Sequence, residues 1–548
     1  MKKARRIASL FLVLVMALGL FAGCGKETGS VKGDGKITVG VPLDATVPNY
    51  DENGLTKYLE EVTGLEIEWV HFASSDTNYK QQITLMCSGG EKLPDVLLGM
   101  SLGHYLVNQF GEDGYFIDLS ELIESHAPNY KKAMESLSKK EQAYIQQKMV
   151  NTVDGKSIYA MPSYAISCID DMQSIMLINK NWLDAVGMQV PTNIKELEAV
   201  CEAFLTQDPN GNEEADEYAM LADEGTRNWI INAFTQYQQH TFCVDENGKV
   251  FDPVYTDEFR KGVQYVNGLV EKGYMNELGF TLSLQEIKNL ISPTDGTECK
   301  VGIFAGHPET MTNATTDALD EFIAMGVLAD ETGKGGYNVI GEVLLDFKGV
   351  ITEDCADPEE AMKFLDAFYT DECVTRQRHG VKDEDWYYEE GDNAYGTKSY
   401  AKIVNPDAFF DGSLNKTLGN KLGIMTHWNY LSVKETAETN SNNRIVQASR
   451  LQTELWDIHE NSGKKQAGVV GDLVYTQEEY DVREEKYATM NSFTNEQVVL
   501  FMQGEKDPSS DKDWNEFTST LTNLGRKELM KIAQAAYTRK VEREASVK

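Results

Sequence analysis

The sequence lacks the short motifs that commonly mark an active site. The patterns G-x-S-x-G, H-E-x-x-H, G-x-x-x-x-G-K-[ST] and G-x-G-x-x-G occur nowhere in its 548 residues. Those patterns place a nucleophilic serine, a catalytic zinc ion or a nucleotide phosphate. One S-x-x-K match, at residues 136–139, stands alone in a polar stretch. We therefore expect a protein that is not an enzyme.

Paired cysteines are also missing. The chain has no C-x-x-C motif and no two cysteines at short spacing, which a disulfide framework or a zinc site would need. Neither feature is therefore predicted. The eight cysteines are Cys24, Cys87, Cys168, Cys201, Cys243, Cys299, Cys355 and Cys373.

Positive charge is scarce. Lysine and arginine number 51 against 87 aspartates and glutamates, a formal net charge of −36. Four of the bases lie before residue 7, so the remainder carries 47 bases against 87 acids, a net of −40. Such a surface repels nucleic acid, and we expect no nucleic-acid partner. The length predicts more than one domain.

One long apolar run, residues 7–22, follows the basic N-terminal segment and ends in Ala22-Gly23-Cys24. Its length is close to the lower limit for spanning a bilayer, but a basic start and a small-residue ending predict an export signal over residues 1–23. The ending resembles the lipobox of bacterial lipoproteins, with Phe21 where leucine is usual. That resemblance implies cleavage before Cys24, a lipid on Cys24 and anchoring at the extracellular face of the cell membrane. Residues 24–36 would form a flexible tether.

Strands and helices alternate along the following chain. Residues 36–42 read as a strand, residues 53–63 as an amphipathic helix that Gly64 ends, and residues 67–72 as a second strand. This order predicts an α/β fold with a parallel sheet. Residues 299–308 read as a buried strand that ends in a polar loop. From about residue 470 the chain is mostly helical and charged.

Taken in order, these segments resemble the extracellular solute-binding proteins of bacterial ABC importers, in the branch that handles sugars and oligosaccharides. The resemblance covers nearly the whole mature chain. It rests on the order and spacing of ITVGVP…YLEEVTGLEIEW, GEKLPDVLLG, DGKSIYAMP, INKNWLDAVGMQVPTNIKELEAVCEAF, DPNGNEEADE, FRKGVQYVNGLVEKGYMNE, CKVGIFAGHP, DPEEAMKFLDAFYTDE and RQRHGVKDEDWYY.

The resemblance implies a two-lobe, periplasmic-binding-protein-like α/β fold of the hinged type II class, with helical C-terminal additions. Lobe 1 would comprise residues 37–165 and about 350–425, and lobe 2 residues 166–349 and about 426–548. It also implies a monomer that delivers a carbohydrate to the permease subunits of an ABC transporter. Two alternatives stay open, a binder of another solute such as a peptide and a secreted carbohydrate-active enzyme.

The stretch DPNGNEEADE, residues 208–217, has side-chain oxygens at alternate positions. Calcium takes six to eight oxygen ligands from such acidic loops. The EF-hand pattern fails at Glu213, where glycine is required, and at Ala219, where glutamate is required. The loop does resemble the D-x-N-x-N-x-x-x-D-E calcium loop of alginate-type saccharide-binding proteins. We expect a structural calcium ion, and the implied ligands are Asp208, Asn210, Asn212, Glu214, Asp216 and Glu217.

A sugar site needs flat aromatic side chains to stack on the sugar ring and polar side chains to bond its hydroxyls. In open α/β lobes such groups lie at the carboxyl ends of strands. Asp44, Tyr164 and His307 follow predicted strands, Trp229 lies on a predicted helix, and two further tryptophans lie in loop-like contexts. The predicted ligand-binding residues are Asp44, Tyr164, Trp229, His307, Trp386 and Trp428.

Overall fold

A computed structural model of the chain describes residues 35–546 except for sixteen short gaps. The predicted signal segment and Cys24 lie outside the described residues. No helix of the described part combines the length and the apolar character that crossing a bilayer requires. The gaps are residues 152–153, 166–174, 240, 314–317, 336–338, 341–343, 393–397, 405–414, 419–426, 429–432, 436–446, 448–449, 453, 456, 459–466 and 471–472.

Six strands form the first sheet. They are β1 (Lys36–Pro42), β2 (Glu66–Phe72), β3 (Val96–Leu98), β4 (Met161–Ala165), β13 (Leu344–Ile351) and β16 (His427–Trp428). Their order is β16-β4-β13-β3-β1-β2. Strands β1, β2 and β3 are parallel to one another, whereas β13 runs antiparallel to both β3 and β4. The strand–helix–strand start is thus confirmed as the beginning of a parallel sheet.

Eight helices accompany this sheet. They are α1 (Gly54–Thr63), α2 (Asp76–Gly89), α3 (Gly103–Glu112), α4 (Ser120–His126), α5 (Pro128–Glu135), α6 (Lys139–Met149), α13 (Pro358–Ala367) and α14 (Asp371–His379). Helix α13 packs against α1, α4 and α5, so the late segment completes the early core. We call this sheet with its helices lobe 1.

Helix α1 shows how local sequence sets an element. The Asn53 side chain accepts a hydrogen bond from the Leu55 amide at 2.9 Å and caps the helix start. Gly64 adopts the left-handed conformation, with φ of 72°, that ends it. Leu55 and Leu59 point into the core and are fully buried. Truncating Leu59 to alanine would cost about 2–5 kcal/mol of folding free energy.

Five strands form the second sheet. They are β5 (Ile175–Asn179), β6 (Tyr218–Leu221), β9 (Met275–Asn276), β10 (Val301–Gly306) and β11 (Phe322–Met325). Their order is β11-β5-β10-β6-β9, and β5 runs opposite to the other four strands. The helices between them are α7 (Lys180–Val186), α8 (Ile194–Thr206), α9 (Glu224–Ile231), α10 (Asp257–Glu271), α11 (Leu284–Ile291) and α12 (Pro308–Met311). We call this sheet with its helices lobe 2.

Three helices end the described chain, α15 (Gln477–Met502), α16 (Asp511–Asn523) and α17 (Arg526–Ser546). Phe501, Trp514 and Phe517 from α15 and α16 belong to the same apolar core as α8 and α10. The predicted helical C-terminal region is thus present, and it packs on the core of the second sheet.

Two C-terminal helices also touch lobe 1. The rings of Tyr105 in α3 and Tyr480 in α15 stack with centroids 3.9 Å apart and planes inclined by 14°. Nearby, the Lys540 ammonium of α17 lies 5.7 Å from the centre of the Tyr144 ring in α6. The two lobes are thus joined by side-chain contacts as well as by the chain itself.

Two smaller sheets complete the described part. The first joins β12 (Val339–Ile340), β18 (Ala467–Val469), β7 (Cys243–Val244) and β8 (Val250–Phe251). The second joins β14 (Trp386–Asp392), β15 (Lys398–Ile403) and β17 (Val433–Glu435). The expectation that Trp386 and Trp428 lie in loops is wrong, because Trp386 begins β14 and Trp428 ends β16.

The architecture is α/β with two lobes and C-terminal helices, which is the predicted fold class. The residue-by-residue division into lobes stays a prediction. The predicted division has approximate boundaries at residues 350 and 425. The strands next to these boundaries, β13 and β16, both belong to the first sheet.

Candidate functional site

The path of the chain identifies the edge of lobe 1 that faces lobe 2. Strand β4 ends at Ala165, and the chain next enters lobe 2 at Ile175, the start of β5. It returns to lobe 1 at Leu344, the start of β13. Because β13 is antiparallel to β3 and β4, its start lies at the carboxyl ends of β1, β3 and β4. That carboxyl edge therefore faces the crossing.

The corresponding edge of lobe 2 follows from strand pairing. Gly306, at the carboxyl end of β10, pairs with Ile175, where the chain arrives from lobe 1. Strand β6 is parallel to β10, so both strands end at this edge. Helix α9 starts there, capped by the Asp223 side chain, which accepts a hydrogen bond from the Thr226 amide at 3.1 Å. The carboxyl edges of the two sheets thus define a cleft, where ligands bind in open α/β proteins.

Asp44 lies on the lobe 1 side of this cleft, two residues after β1. Its carboxylate is buried and accepts hydrogen bonds from the Thr46 amide at 2.9 Å and the Thr46 hydroxyl at 2.7 Å. The Asp44 amide donates to the Tyr50 hydroxyl at 2.9 Å. These contacts hold the turn after β1 in place, so Asp44 shapes the edge of the cleft.

Two predicted aromatic residues belong to the protein core. Tyr164 lies within β4 rather than after it and is 1% exposed, and burial raises the pKa of its phenol well above the usual range. Trp386 is fully buried, and its indole N–H donates to the Gly380 carbonyl at 3.0 Å. Neither ring offers a face to a ligand in this conformation. Trp428 pairs with Ala165 at the cleft edge, and its side chain lies outside the described part.

Trp229 differs from Trp386. It lies on α9, is half-buried and packs against two apolar clusters of lobe 2. Its indole N–H is buried and finds no acceptor among the described residues. A buried tryptophan usually finds a hydrogen-bond acceptor, and leaving a donor unsatisfied costs about 1–3 kcal/mol. Trp229 therefore has a partly exposed side chain and an unsatisfied donor on the helix that starts at the cleft edge.

His307 occupies the lobe 2 edge of the cleft, as its position after β10 predicts. It is half-buried and precedes α12. Its main-chain carbonyl accepts a hydrogen bond from the Thr310 amide at 2.9 Å and caps the first turn. Trp229 and His307 thus belong to elements that start from the same edge of the second sheet.

A polar cluster at the lobe 1 edge escaped the sequence analysis. The Lys348 ammonium lies 2.9 Å from the Asp346 carboxylate and donates to the Ser101 hydroxyl at 2.5 Å. The Ser101 amide in turn donates to the Tyr79 hydroxyl at 2.9 Å. The alternation D-x-K at the start of a strand was a usable signal, because residues two apart share one face of a strand. The contact with Ser101 spans 247 positions and has no local signal.

The loop of residues 208–217 is folded around its own hydrogen bonds. Asp208 accepts from the Gly211 amide at 3.0 Å, the Asn212 amide at 3.2 Å and the Glu213 amide at 3.0 Å. Asp208 and Glu213 have positive φ values of 43° and 62°, which non-glycine residues rarely adopt. The Asp208 carboxylate is thus surrounded by main-chain amide groups.

Asp216 and Glu217 have different environments. Asp216 accepts from the amide groups of Asn210 at 3.3 Å and Asn212 at 3.1 Å, and lies 2.6 Å from the Lys300 ammonium. These hydrogen bonds lower the pKa of Asp216, and the bond with Lys300 has the largest effect. Burial raises the pKa of Glu217, and the charges of Asp208 and Asp216 add to the effect. One Glu217 oxygen is buried and finds no donor among the described residues.

The donor set of this loop fits calcium in kind. Carboxylates and amide oxygens are the ligands that calcium prefers, and a buried carboxylate oxygen without a donor calls for a positive partner. In the described part of the chain, however, no three acidic, histidine or cysteine side chains converge as a ready-made cage. Asn210 and Asn212 turn their N–H groups to Asp216, so rotation of both amides would bring two oxygens inward.

The comparisons with known proteins point in one direction. Residues 44–372 match the family described as bacterial extracellular solute-binding protein. The fructooligosaccharide ABC transporter substrate-binding protein FusA of Streptococcus pneumoniae is 25% identical over 398 residues, which is 67% of this chain and 69% of FusA.

Solved structures agree on the fold. An extracellular solute-binding protein from Bifidobacterium longum subsp. infantis superposes with a TM-score of 0.75 at 22% identity, covering 94% of this chain and all of that one. An EF-hand mutant of S. pneumoniae FusA in complex with fructo-nystose superposes with a TM-score of 0.72 at 20% identity. The superposition covers 92% of this chain and 99% of that one. At these identities the likeness concerns the fold.

Proposed function

The chain belongs to the family of bacterial extracellular solute-binding proteins, and from that premise we propose that it captures an oligosaccharide for an ABC importer. The curated relative FusA is the substrate-binding protein of a fructooligosaccharide ABC transporter. The proposed role is binding and delivery to the permease, without a chemical step. The single observation that supports the sugar assignment is Trp229, a half-buried tryptophan with an unsatisfied N–H on the helix that starts at the cleft edge.

A sugar ring has an apolar C–H face and a polar rim, and the two edges of the cleft can serve both. Trp229 on lobe 2 would stack on the apolar face and donate one hydrogen bond from its indole N–H. Polar groups at the lobe 1 edge would bond the hydroxyls. Because the two kinds of group belong to different lobes, a bound sugar stabilises the closed arrangement more than the open one, which drives hinge closure.

The loop at residues 208–217 is proposed to hold a structural calcium ion. The ion would supply positive charge where Glu217 now has a buried oxygen without a donor. Its ligands would come from the loop alone, on one lobe and away from the cleft edges. They are Asp208, Asn210, Asn212, Asp216, Glu217 and the main-chain carbonyl of Glu214.

The proposed location follows from the N-terminal sequence. Residues 1–23 would direct export, and lipid attached to Cys24 would hold the protein at the outer face of the cell membrane. Residues 24–36 would leave the two lobes free to move on a flexible tether. We expect the mature protein to act as a monomer.

Calorimetric titration tests the function. Fructooligosaccharides, other oligosaccharides and a peptide mixture would be titrated into the mature chain, with product analysis of each glycan. We expect micromolar binding of one oligosaccharide class, and Trp229→Ala should weaken it by at least about tenfold. Trp229→Phe keeps a ring and should lose less.

Trp69→Ala is the matched control. Trp69 is a half-buried tryptophan on β2 of lobe 1, and its indole N–H also lacks an acceptor among the described residues. Trp69→Ala should leave the affinity for the sugar unchanged. Unchanged affinity in Trp229→Ala would remove Trp229 from the site. Binding of peptides alone would favour a different solute, and released sugar products would show an enzyme.

A further inference from the structure

The cluster of Ser101, Asp346 and Lys348 lies where a ligand in the cleft would meet lobe 1. The Gly99 amide donates to the Lys348 carbonyl, which places Lys348 beside the carboxyl end of β3. Asp346 pairs in register with Ser163, near the carboxyl end of β4. Ser101 follows β3 and precedes α3. All three residues therefore lie at the edge from which the chain crosses to lobe 2.

The cluster is rigid and partly accessible. The Lys348 side chain is 11% exposed and that of Asp346 is 34% exposed. The Asp346 carboxylate also accepts a hydrogen bond from the Phe347 amide at 2.8 Å. Ser101 is fixed by Tyr79, which is itself buried. Groups held in this way lose little conformational entropy when a ligand binds.

The charges of the cluster cancel. Lys348 is already paired with Asp346, so the cluster offers a hydrogen-bond acceptor and a donor side by side without net positive charge. Adjacent hydroxyls on a sugar ring both donate and accept, and they match such a pair. A uronate carboxylate would instead be repelled by the Asp346 carboxylate. The Lys348 ammonium, with which a uronate would pair, is already bound to Asp346.

A cation near the opposite edge, Arg227, already has partners as well. The Arg227 guanidinium of α9 donates to the Asp223 carbonyl at 3.2 Å and lies 4.9 Å from the centre of the Phe280 ring. Over longer distances, the net charge of −40 that remains without the N-terminal bases repels anionic ligands. Both observations disfavour an acidic glycan.

We propose that Ser101, Asp346 and Lys348 anchor the hydroxyls of a neutral oligosaccharide and discriminate against uronate-containing ones. The proposal rests on the proposed function and names the ligand class of that same cleft. Asp346 is the discriminating group, because it neutralises Lys348 and repels a second carboxylate.

The test compares a neutral set, fructo-, malto- and xylo-oligosaccharides, with an acidic set, oligogalacturonates and alginate oligosaccharides, by calorimetry at low ionic strength. The wild-type protein should bind a neutral member and no acidic member. Asp346→Asn should weaken neutral binding by about 10- to 100-fold, the range for a hydrogen bond to a charged group. The same variant should gain measurable affinity for an acidic member, because Lys348 is then free to pair with a uronate.

Asp184→Asn is the control for Asp346→Asn. It removes one carboxylate from the exposed Lys180–Asp184 pair, at the far edge of the second sheet. Asp184→Asn should change neither the affinity for neutral oligosaccharides nor the affinity for acidic ones. Ser101→Ala and Lys348→Met provide further variants if Asp346→Asn does not fold, which circular dichroism and melting temperature would reveal. Both should weaken neutral binding, and neither should gain acidic binding.

The outcomes separate the two proposals. Tighter wild-type binding of acidic members, or neutral binding that none of the three cluster variants weakens, would overturn the inference and leave the proposed function standing. Absence of binding to every member of both sets, with binding of peptides, would overturn both.

Discussion

Tyr105 of lobe 1 and Tyr480 of the C-terminal helices stack almost face to face, with ring centroids 3.9 Å apart. Both rings are half-buried, and burial raises the pKa of Tyr480 to about 12. The contact joins two bodies that the proposed mechanism moves relative to each other. Its strength therefore contributes to the balance between lobe arrangements.

A double-mutant cycle measures this contact. Tyr105→Ala, Tyr480→Ala and the double variant should give a coupling free energy of about 0.5–1.5 kcal/mol in urea unfolding, the range for aromatic pairs. Each single variant should also change the solution scattering profile, because the arrangement that contains the stack becomes less populated. Tyr388→Ala removes an exposed tyrosine that contacts Trp386 and Lys382 and should leave the profile unchanged. Zero coupling with an unaltered profile would contradict the role.

The buried ion pair between Arg526 and Asp252 fixes the last helix to lobe 2. Their side chains are 3% and 0% exposed, and the closest approach is 2.5 Å. Asp252→Asn would leave the guanidinium buried without its counter-charge, which typically costs about 3–5 kcal/mol. Urea unfolding should show that loss. Glu66→Gln, which breaks the exposed Lys36–Glu66 pair, should cost less than about 1 kcal/mol. Comparable losses in the two variants would contradict the assignment.

Five of the six described cysteines should be unreactive in the folded protein. Cys87, Cys201, Cys243, Cys299 and Cys373 are buried, and burial is the largest cause that raises the thiol pKa of each. For Cys87 the pKa rises to about 11, so almost no reactive thiolate exists at pH 8. Iodoacetamide at pH 8 should leave all five unlabelled in peptide mass spectra until urea unfolds the chain. Rapid labelling of Cys201 in the native protein would contradict its place in the core.

Local signals allowed much of the fold to be predicted. Asn53 and Gly64 bound α1, and the apolar run after Cys299 became β10, because caps and periodicity act over a few residues. The position of Trp386 was predicted wrongly. The acidic stretch before it resembles a loop, and its strand forms only by pairing with β15.

The candidate site was predictable only in part. Positions after strands, such as those of Asp44 and His307, were identified because the carboxyl edge of a sheet is readable from strand order. The pairing of Ser101 with Lys348 was not, since these residues are 247 positions apart and meet only in the folded lobe 1. The burial of Tyr164 was missed for the same reason, because its apolar cluster includes Phe364 of α13, which comes much later in the chain.

The final prediction concerns Glu217 in the proposed calcium loop. Its pKa is raised in the folded protein, by burial first and then by repulsion from Asp208 and Asp216. A carboxyl group whose folded pKa exceeds its unfolded pKa contributes stability that is fully present below the unfolded pKa, near pH 4, and is lost as the pH rises through the folded value. Without calcium, Glu217→Gln should therefore raise the melting temperature at pH 7 and have little effect at pH 4.

Calcium should reverse the order of the two proteins. The ion would offset the repulsion among the loop carboxylates, so the wild-type melting temperature should rise on titration with calcium at pH 7 and fall again when a chelator is added. Glu217→Gln should gain much less, and Asp208→Ala should gain nothing. Lys300→Met provides a second check, because losing its ammonium leaves Asp216 more dependent on calcium and should enlarge the calcium-induced shift. Equal shifts in the wild type and Asp208→Ala would show that the loop is not the site.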